Sequence, residues 1–408
     1  MEHLQRKVRI AAIGYGNRVR KYLKYILDNQ SEVELCSVVD IDPGLLDDAR
    51  RKFSLPKEAC FRNADDFFAS DICPDGVIIG TPDNTHYDIA MKSIEKGFHI
   101  LLEKPIAQTM EQCMDIDRAA KEKGVQVIVC YVLRYHPYYM KLKELLSTRI
   151  LGELVSINHI INVGIDRTTH SYVRGIWSNS SLTNPMILSK SCHDADLMLW
   201  LSESKARKVT SFGSLKWFRA ENAPQGSSKR CIDCKIEQTC PFSAIDLYIR
   251  RKSWISNFRV PEGSTLDEIL ENEMKSGDFG RCVYHCDNDV VDNQIVSMIM
   301  ENNVVVTMSM DCFTLEDDRL TTIKCVYGEI IADATKIKVR DFRRKVEETY
   351  DFTNVNKLPL HANADLNIVA DFIHTVRFGP SADTPTVSAS VESHKICFLA
   401  EEDRLRNL

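Results

Sequence analysis

The feature that most constrains this sequence is an alternation of short apolar runs with helix-like stretches through its first 131 residues. The apolar runs cover residues 8–13, 33–39, 76–79, 99–102 and 126–131. Strands that alternate with helices of this length form βαβ units around a parallel sheet. We therefore expect residues 1–130 to form an α/β domain with a doubly wound parallel sheet.

The pattern changes after residue 131, and 408 residues exceed what one hydrophobic core usually holds. Segments 153–164 and 293–313 are long, strand-like and rich in Val, Ile, Thr and Met. They predict a second α/β domain over residues 131–408 with an open, mostly antiparallel sheet. Polar, cysteine-bearing residues at about 220–288 indicate an insertion in that domain.

Composition excludes several classes of partner. Hydrophobic residues make up 44% and charged residues 27%, the net charge is −6, and no basic stripe occurs. We therefore expect a globular enzyme with no nucleic-acid partner. The apolar runs are far shorter than the roughly 20 residues of a membrane helix, which excludes a membrane span. The polar start lacks the pattern of a secretory signal, so we expect a cytoplasmic protein.

A glycine turn follows the first predicted strand. Gly14-Tyr15-Gly16 would let the backbone approach a pyrophosphate, and the helix that opens at Asn17 would stabilise its charge. Val19 stands where a third glycine is usual, so the fingerprint of a Rossmann domain is incomplete. The alternative is a plain glycine turn.

An acidic residue ends the second strand. Asp40 is placed to bind a ribose 2′-hydroxyl and would repel a 2′-phosphate, so NAD is expected rather than NADP. The alternative is a solvated aspartate.

Loops at the carboxyl ends of such strands line the ligand crevice. Thr81, Pro82, Asn84 and His86 follow the third long strand and are therefore candidate cofactor contacts. Asn84 could also cap the helix that follows it.

Glu103-Lys104-Pro105 follows the next strand and should face the same crevice. A lysine beside NAD can hydrogen-bond a substrate hydroxyl and help it to lose its proton. Pro105 biases Lys104 toward an extended backbone. The alternative is a salt-bridged surface pair.

The run from Gly80-Thr81-Pro82 through His86, Gly97 and His99 to Glu103-Lys104-Pro105 resembles the Gfo/Idh/MocA family, named for glucose–fructose oxidoreductase, inositol dehydrogenase and rhizopine catabolism. The resemblance covers nearly the whole chain and is most specific in the first 140 residues. It implies a Rossmann domain joined to an open-sheet domain, and a Lys104 that binds both substrate and cofactor. It also implies Glu103 and Arg134 near the cofactor, and a homo-oligomer, either a dimer or a tetramer.

The same resemblance implies a histidine acid/base from the second domain, which matches His193. The family usually has an aspartate four residues earlier, but Ser189 stands there and Lys190 follows it. The catalytic set would then be Lys104 and His193, with Lys190 as a further substrate contact. The alternative is a core histidine.

A cluster of polar and aromatic residues at 170–177 suits sugar recognition through ring stacking and hydrogen bonds. Its candidate substrate contacts are Tyr172, Arg174 and Trp177. The alternative is an ordinary structured loop.

Fourteen cysteines are many for a protein in a reducing compartment, where a tight cluster favours metal over disulfide. Cys231, Cys234 and Cys240 have the spacing C-x2-C-x5-C, and Cys282 is the preferred fourth ligand. They predict a structural zinc, with an iron–sulfur cluster as the next possibility. The alternative is free thiols in a loop.

These inferences give three functional hypotheses. The first is an NAD-dependent dehydrogenase acting on a secondary alcohol of a sugar, sugar derivative or glycoside. The second uses a transient keto-sugar and an elimination to cleave a glycosidic bond with no net change in NAD. The third is a non-catalytic sensor of a sugar or nucleotide.

Overall fold

The computed structural model describes residues 6–261, 263–333, 335–355 and 363–407. Its first sheet has six strands in the order β3-β2-β1-β4-β5-β6, and every pair is parallel. This confirms the predicted doubly wound sheet. The strands are β1 Val8–Ile13, β2 Val33–Val39, β3 Cys60–Phe61, β4 Gly76–Ile79, β5 His99–Leu102 and β6 Val127–Val129.

Helices cover both faces of this sheet, so β4 is buried at all four residues. Side-chain caps fix where helices begin: Asp42 accepts hydrogen bonds from the N–H groups of Gly44 and Leu45, and Thr109 accepts one from Gln112. The helices are α1 Asn17–Asp28, α2 Pro43–Phe53, α3 Ala64–Ala69, α4 His86–Glu95 and α5 Met110–Lys123.

The second sheet has eight strands in the order β14-β13-β12-β11-β7-β10-β9-β8. Only β7 and β10 pair in parallel, which confirms the open, mostly antiparallel sheet. The segment at 293–313 forms two antiparallel strands rather than one. The strands are β7 Leu154–Asn162, β8 Ala206–Ser214, β9 Asn293–Met300, β10 Val305–Asp311, β11 Arg319–Cys325, β12 Gly328–Ala332, β13 Lys336–Asp341 and β14 Val346–Asp351.

The remaining helices connect the two sheets. The last helix, α12, packs on α5, α9 and β8, while α11 packs on α1 beside the first sheet. The domain boundary at residue 130 stays a prediction, because α11 comes from the predicted second domain. These helices are α6 Pro137–Ser147, α7 Ile165–Arg167, α8 Met186–Ser189, α9 Cys192–Ser202, α10 Leu266–Lys275, α11 Ala364–Phe378 and α12 Val387–Arg406.

The predicted insertion contains short helical turns, a π-helix at Ile245–Arg250 and α10. It has a small core of its own that includes Cys231, Leu247, Tyr248, Leu270 and Met274. In the described part of the chain, no helix is both long and apolar enough to span a membrane.

Candidate functional site

The loops after β1 and β4 meet at the carboxyl edge of the first sheet. Gly14 has φ +85°, and a Cβ there would lie 2.8 Å from the carbonyl oxygen of Gly80, so glycine is required for this close approach. A Cβ on Gly16 would instead enter open space, and Gly16 has no side chain to cover the amino end of α1. The N–H groups at this helix end can therefore bind an anion such as a pyrophosphate.

Asp40 lies beside this turn, where β2 ends. Its Oδ2 accepts a 2.7 Å hydrogen bond from the Tyr15 N–H, and its Oδ1 accepts a 2.9 Å bond from the Asp42 N–H. Burial raises the pKa of Asp40, although the Tyr15 N–H, Arg259 and Arg20 oppose this. The carboxylate therefore reaches the glycine turn, which fits a ribose of NAD.

The other predicted cofactor contacts lie at the rim of the crevice. Asn17 begins α1, and Thr81 accepts a 2.7 Å hydrogen bond from the hydroxyl of Thr85. Pro82 and Asn84 are exposed. Asn84 does not cap the next helix, because the residue in the cap position of α4 is Thr85.

His86 is buried in this structure, and its contact with the cofactor stays a prediction. Its Nδ1 lies 2.8 Å from the Pro105 carbonyl and its Nε2 lies 3.0 Å from the Thr81 carbonyl. His86 thus ties the loop after β4 to the loop after β5.

Glu103 is also engaged inside the protein. One carboxylate oxygen pairs with Arg18 at 3.1 Å and accepts a hydrogen bond from Tyr22, and the other accepts a 3.0 Å bond from the Lys104 N–H. Arg18 continues this network to Asp365, at 2.7 Å. Glu103 therefore positions the Lys104 backbone, and its contact with the cofactor stays a prediction.

Lys104 reaches from the first sheet to the second-sheet part of the chain. Its Nζ donates a 2.9 Å hydrogen bond to the carbonyl of Ser189, at the end of α8. The Ser189 hydroxyl points elsewhere and donates to the carbonyl of Pro185 at 2.9 Å. The position where the family has an aspartate thus contacts Lys104 through its main chain.

His193 lies in the first turn of α9, and its ring packs edge-on against Tyr131 at 5.5 Å between centroids. Burial, and then the charge of Lys104, lower its pKa well below the ordinary value. Its Nδ1 is buried with no hydrogen-bond partner among the described residues. His193 is therefore a neutral imidazole that can accept a proton, close enough to Lys104 to respond to its charge.

Arg134 is held by a buried carboxylate. Its guanidinium forms two hydrogen bonds with Asp196, at 2.8 and 2.6 Å, and donates a third to the Asp383 carbonyl at 3.2 Å. The pair anchors α9, and with it His193, to the segment after β6, and the contact of Arg134 with the cofactor stays a prediction.

Lys190 lies between Ser189 and His193 in sequence and is buried. Its Nζ lies 3.0 Å from Asp317, and Arg167 meets the other oxygen of the same carboxylate at 2.7 Å. Tyr172 and Trp177 lie nearby, with 6.3 Å between their ring centroids. Burial raises the pKa of Tyr172, the charge of Arg167 opposes this, and Asp317 adds to it. Sequence reasoning missed Arg167 and Asp317, because both lie in polar stretches that look like surface loops.

The side chain of Arg174 packs against the insertion rather than beside Tyr172 and Trp177. Its side chain is 1% exposed, and it donates to the carbonyls of Arg281 at 2.8 Å and Phe242 at 2.6 Å. Its guanidinium is thus buried against the insertion, and the binding of substrate by Arg174 stays a prediction.

The four candidate metal ligands line one small cavity together with Arg174 and Phe242. The Cys231 Sγ accepts a 3.4 Å hydrogen bond from the Ala244 N–H and lies 3.9 Å from an Arg174 nitrogen. Over residues 6–261, 263–333, 335–355 and 363–407, no three His, Cys, Asp or Glu side chains are arranged to hold a metal ion. The predicted zinc or iron–sulfur site at Cys231, Cys234, Cys240 and Cys282 is therefore not supported, and the alternative of free thiols fits this arrangement.

Several curated proteins are similar to this chain in sequence. The putative oxidoreductase YteT of Bacillus subtilis (strain 168) is 23% identical over 306 residues, 71% of this chain and 68% of YteT. The chain spans about half the length of other curated relatives that it matches.

Two solved structures have the same fold. An oxidoreductase from Agrobacterium radiobacter in complex with NAD+, L-tartaric acid and magnesium aligns with 99% of this chain and 98% of that chain, at a TM-score of 0.71 and 14% identity. A levoglucosan dehydrogenase in complex with NADH aligns over 98% of both chains, at a TM-score of 0.71 and 16% identity.

Residues 8–131 match the model of an oxidoreductase family with an NAD-binding Rossmann fold. This range contains the glycine turn, Asp40 and the Glu103-Lys104-Pro105 element. This part of the chain therefore matches the NAD-binding domain of the Gfo/Idh/MocA oxidoreductases.

Proposed function

We propose that this protein is an NAD-dependent dehydrogenase that oxidises a secondary alcohol of a sugar, sugar derivative or glycoside. The observation that carries the proposal is the position of Lys104, whose Nζ is hydrogen bonded to Ser189, four residues before the neutral His193. An ammonium donor and a neutral base so close together suit the removal of a proton from an alcohol. The levoglucosan dehydrogenase of the same fold supports a sugar-related substrate.

The chain offers a place for NAD at the edge of the first sheet. The turn from Gly14 to Gly16 and the amino end of α1 would hold the pyrophosphate, and Asp40 would hold a ribose. When bound, NAD supplies the acceptor for hydride. Asp40 favours NAD over NADP, because its carboxylate would repel a 2′-phosphate.

The chain's own residues would then handle the hydroxyl group. The Lys104 ammonium donates a hydrogen bond to the substrate oxygen, in place of its present bond to the Ser189 carbonyl. His193 accepts the proton as the C–O bond gains double-bond character. Tyr172 and Trp177 supply apolar ring surface beside this point.

The test is to incubate purified protein with NAD and a panel of polyols and glycosides, and to measure both NADH and released aglycone. NADH formed by the unchanged protein and by Lys96→Met, but not by Lys104→Met, supports a dehydrogenase. Lys96 is an exposed lysine in the same half of the chain. Free aglycone with no net NADH indicates redox-neutral glycoside cleavage instead, and unchanged function in cells after Lys104→Met indicates a sensor.

We also propose a cytoplasmic homo-oligomer that pairs through the open face of the second sheet. Ile160, Ser309, Ile295 and Phe212 lie side by side across β7, β10, β9 and β8, and the three apolar residues are exposed. A row of exposed apolar side chains on a sheet is typical of a protein interface. Sedimentation of the unchanged protein and of Phe212→Lys tests this, and a monomer at micromolar concentration would contradict it.

A further inference from the structure

Two loops of the second sheet meet next to the proposed reaction centre. The turn after β7 and the loop after β10 leave the carboxyl ends of the parallel pair. They are joined by a 2.8 Å hydrogen bond from the Ile165 N–H to the Thr314 carbonyl and a 3.1 Å bond from the Gly164 N–H to the Thr314 hydroxyl. Gly164 has φ +70°, and a Cβ there would lie 3.3 Å from the Asp317 nitrogen. This packing places Arg167 and Asp317 together.

Lys190 completes this group. Its side chain is 7% exposed and meets Asp317 from the protein interior, while Arg167 meets the same carboxylate from a position that is 37% exposed. The Lys104 ammonium is hydrogen bonded to the carbonyl of Ser189, which directly precedes Lys190. The group formed by Lys190, Asp317 and Arg167 therefore adjoins the proposed reaction centre.

The charges of this group do not balance. Asp317 is the one carboxylate paired with Arg167 and Lys190 among the described residues, and Lys104 is hydrogen bonded to a carbonyl rather than to an acid. Nearby acids have other partners: Asp166 is bound by Arg251, and Asp194 by Arg319 and His159. Two cations, Lys190 and Arg167, therefore share one carboxylate, so this group can accept a further negative charge from a ligand.

We propose that the substrate carries an anionic group, a carboxylate close to the carbon that is oxidised, and that Lys190 and Arg167 bind it. This rests on the proposed function, because it names the substrate class of that same site. Arg167 presents a planar guanidinium that matches the geometry of a carboxylate, and Lys190 supplies a point charge. Lys190 lies three residues from His193, so the anionic group lies next to the reacting carbon rather than at the far end of a long substrate. A sugar acid has this layout.

Supporting this, burial, then Arg167 and Arg319, lower the pKa of Lys190 to about 8, against the opposing effect of Asp317. A bound carboxylate would stabilise the protonated amine of Lys190 and so oppose this lowering of its pKa.

The experiment measures binding as well as turnover. Protein loaded with NAD is titrated calorimetrically with matched pairs, each a neutral hexose and its uronic or aldonic acid, and with one sugar phosphate. We expect every acid that binds to do so at least about tenfold more tightly than its neutral partner. We expect Arg167→Gln and Lys190→Met each to weaken acid binding by about tenfold or more and to weaken neutral binding by a clearly smaller factor.

Arg207→Gln and Lys208→Met on β8 are exposed controls of the same charge change and should alter neither. Arg167→Gln keeps the test valid if Lys190→Met fails to fold, because Arg167 is partly exposed. The proposal is overturned if neutral sugars bind as tightly as their acids, if no acid binds, or if both variants weaken both classes alike. If the sugar phosphate binds more tightly than the sugar acids, the proposed specificity for a carboxylate is also rejected. If only neutral sugars are oxidised, the proposed dehydrogenase function holds and this inference is rejected. If acids bind preferentially but no NAD is reduced, this inference holds and the proposed dehydrogenase function is rejected.

Discussion

Lys104 and Ser189 are joined by a 2.9 Å hydrogen bond from the lysine Nζ to the serine carbonyl. This bond joins the strand-end loop of the first sheet to the segment that leads into α9. A main-chain carbonyl thus accepts the bond where the family pattern would place an aspartate side chain. The proton-transfer half of the site therefore depends on backbone position at Ser189 and on the neutral ring of His193.

The first prediction concerns Ser189→Ala. The hydroxyl bonds to the Pro185 and Asn184 carbonyls and not to Lys104, so its loss should leave kcat within about twofold of the unchanged protein. It should lower the free energy of unfolding by about 1 kcal/mol, the usual value of one internal hydrogen bond. Steady-state kinetics and urea denaturation measure the two effects, and a large fall in kcat at unchanged stability would contradict this assignment.

The second prediction is a displaced pH profile. Burial and Lys104 lower the pKa of His193, so the ring stays neutral and able to accept a proton below pH 6.5, where an ordinary histidine would become protonated. In the direction of alcohol oxidation, kcat/KM should therefore not fall between pH 7.5 and about 6.5 because of this group. The decline should begin at lower pH, and His193→Gln should abolish it together with most of the activity. A decline centred at or above 6.5 would reject His193 as the base.

The fold could be predicted where the local pattern is regular. The apolar runs at 8–13, 33–39 and 76–79 are strands with those same limits, because buried parallel strands are continuously apolar. The outer strands of the second sheet were missed. The last of them, Val346–Asp351, is mostly exposed and polar, so no alternation marks it.

The site could be predicted in outline but not in its pairings. Lys104 stands at a strand end, which the sequence shows, whereas the partner of Arg134 is Asp196, 62 residues away. A charged residue beside a motif looks the same in sequence whether it faces a ligand or a buried partner. For this reason the sequence predicts Glu103, His86 and Arg134 at the cofactor but does not show that all three bind neighbouring loops or helices of the protein.

The third prediction concerns His394 in α12. Its Nε2 accepts a 2.8 Å hydrogen bond from the N–H of Ile106, two residues after Lys104, and its Nδ1 lies 3.2 Å from the Ser390 carbonyl. His394→Leu would leave the buried Ile106 N–H unpaired and should cost about 1–3 kcal/mol of stability. It should also lower kcat, because the segment that carries Lys104 would be held less firmly. His394→Gln should recover part of both effects.

The same residue predicts how stability depends on pH. Burial lowers the pKa of His394 to about 4, from about 6.5 in the unfolded chain. The unfolded chain therefore binds more protons between these values, so this contribution is complete above about pH 6.5 and is lost as the pH falls toward 4. The loss should be of the order of 1–3 kcal/mol in the unchanged protein and smaller in His394→Gln. Exposed His374→Gln is the control, and identical pH slopes for all three proteins would contradict the prediction.

The fourth prediction is a change in cofactor preference at Asp40. Its carboxylate is held toward the glycine turn by the Tyr15 and Asp42 N–H groups, and Arg20 and Arg259 are near enough to lower its pKa. In Asp40→Asn the shape and one acceptor oxygen remain, but the negative charge that repels a 2′-phosphate is gone. The two arginines would then attract that phosphate, so the ratio of kcat/KM for NADP to that for NAD should rise by about tenfold or more.

Asp47→Asn removes the charge of an exposed aspartate in α2, where the side chain is 62% exposed, and should leave the ratio unchanged. Fluorescence titration with both cofactors separates binding from turnover. If Asp40→Asn and Asp47→Asn gave the same ratio, the carboxylate of Asp40 would not be what selects NAD.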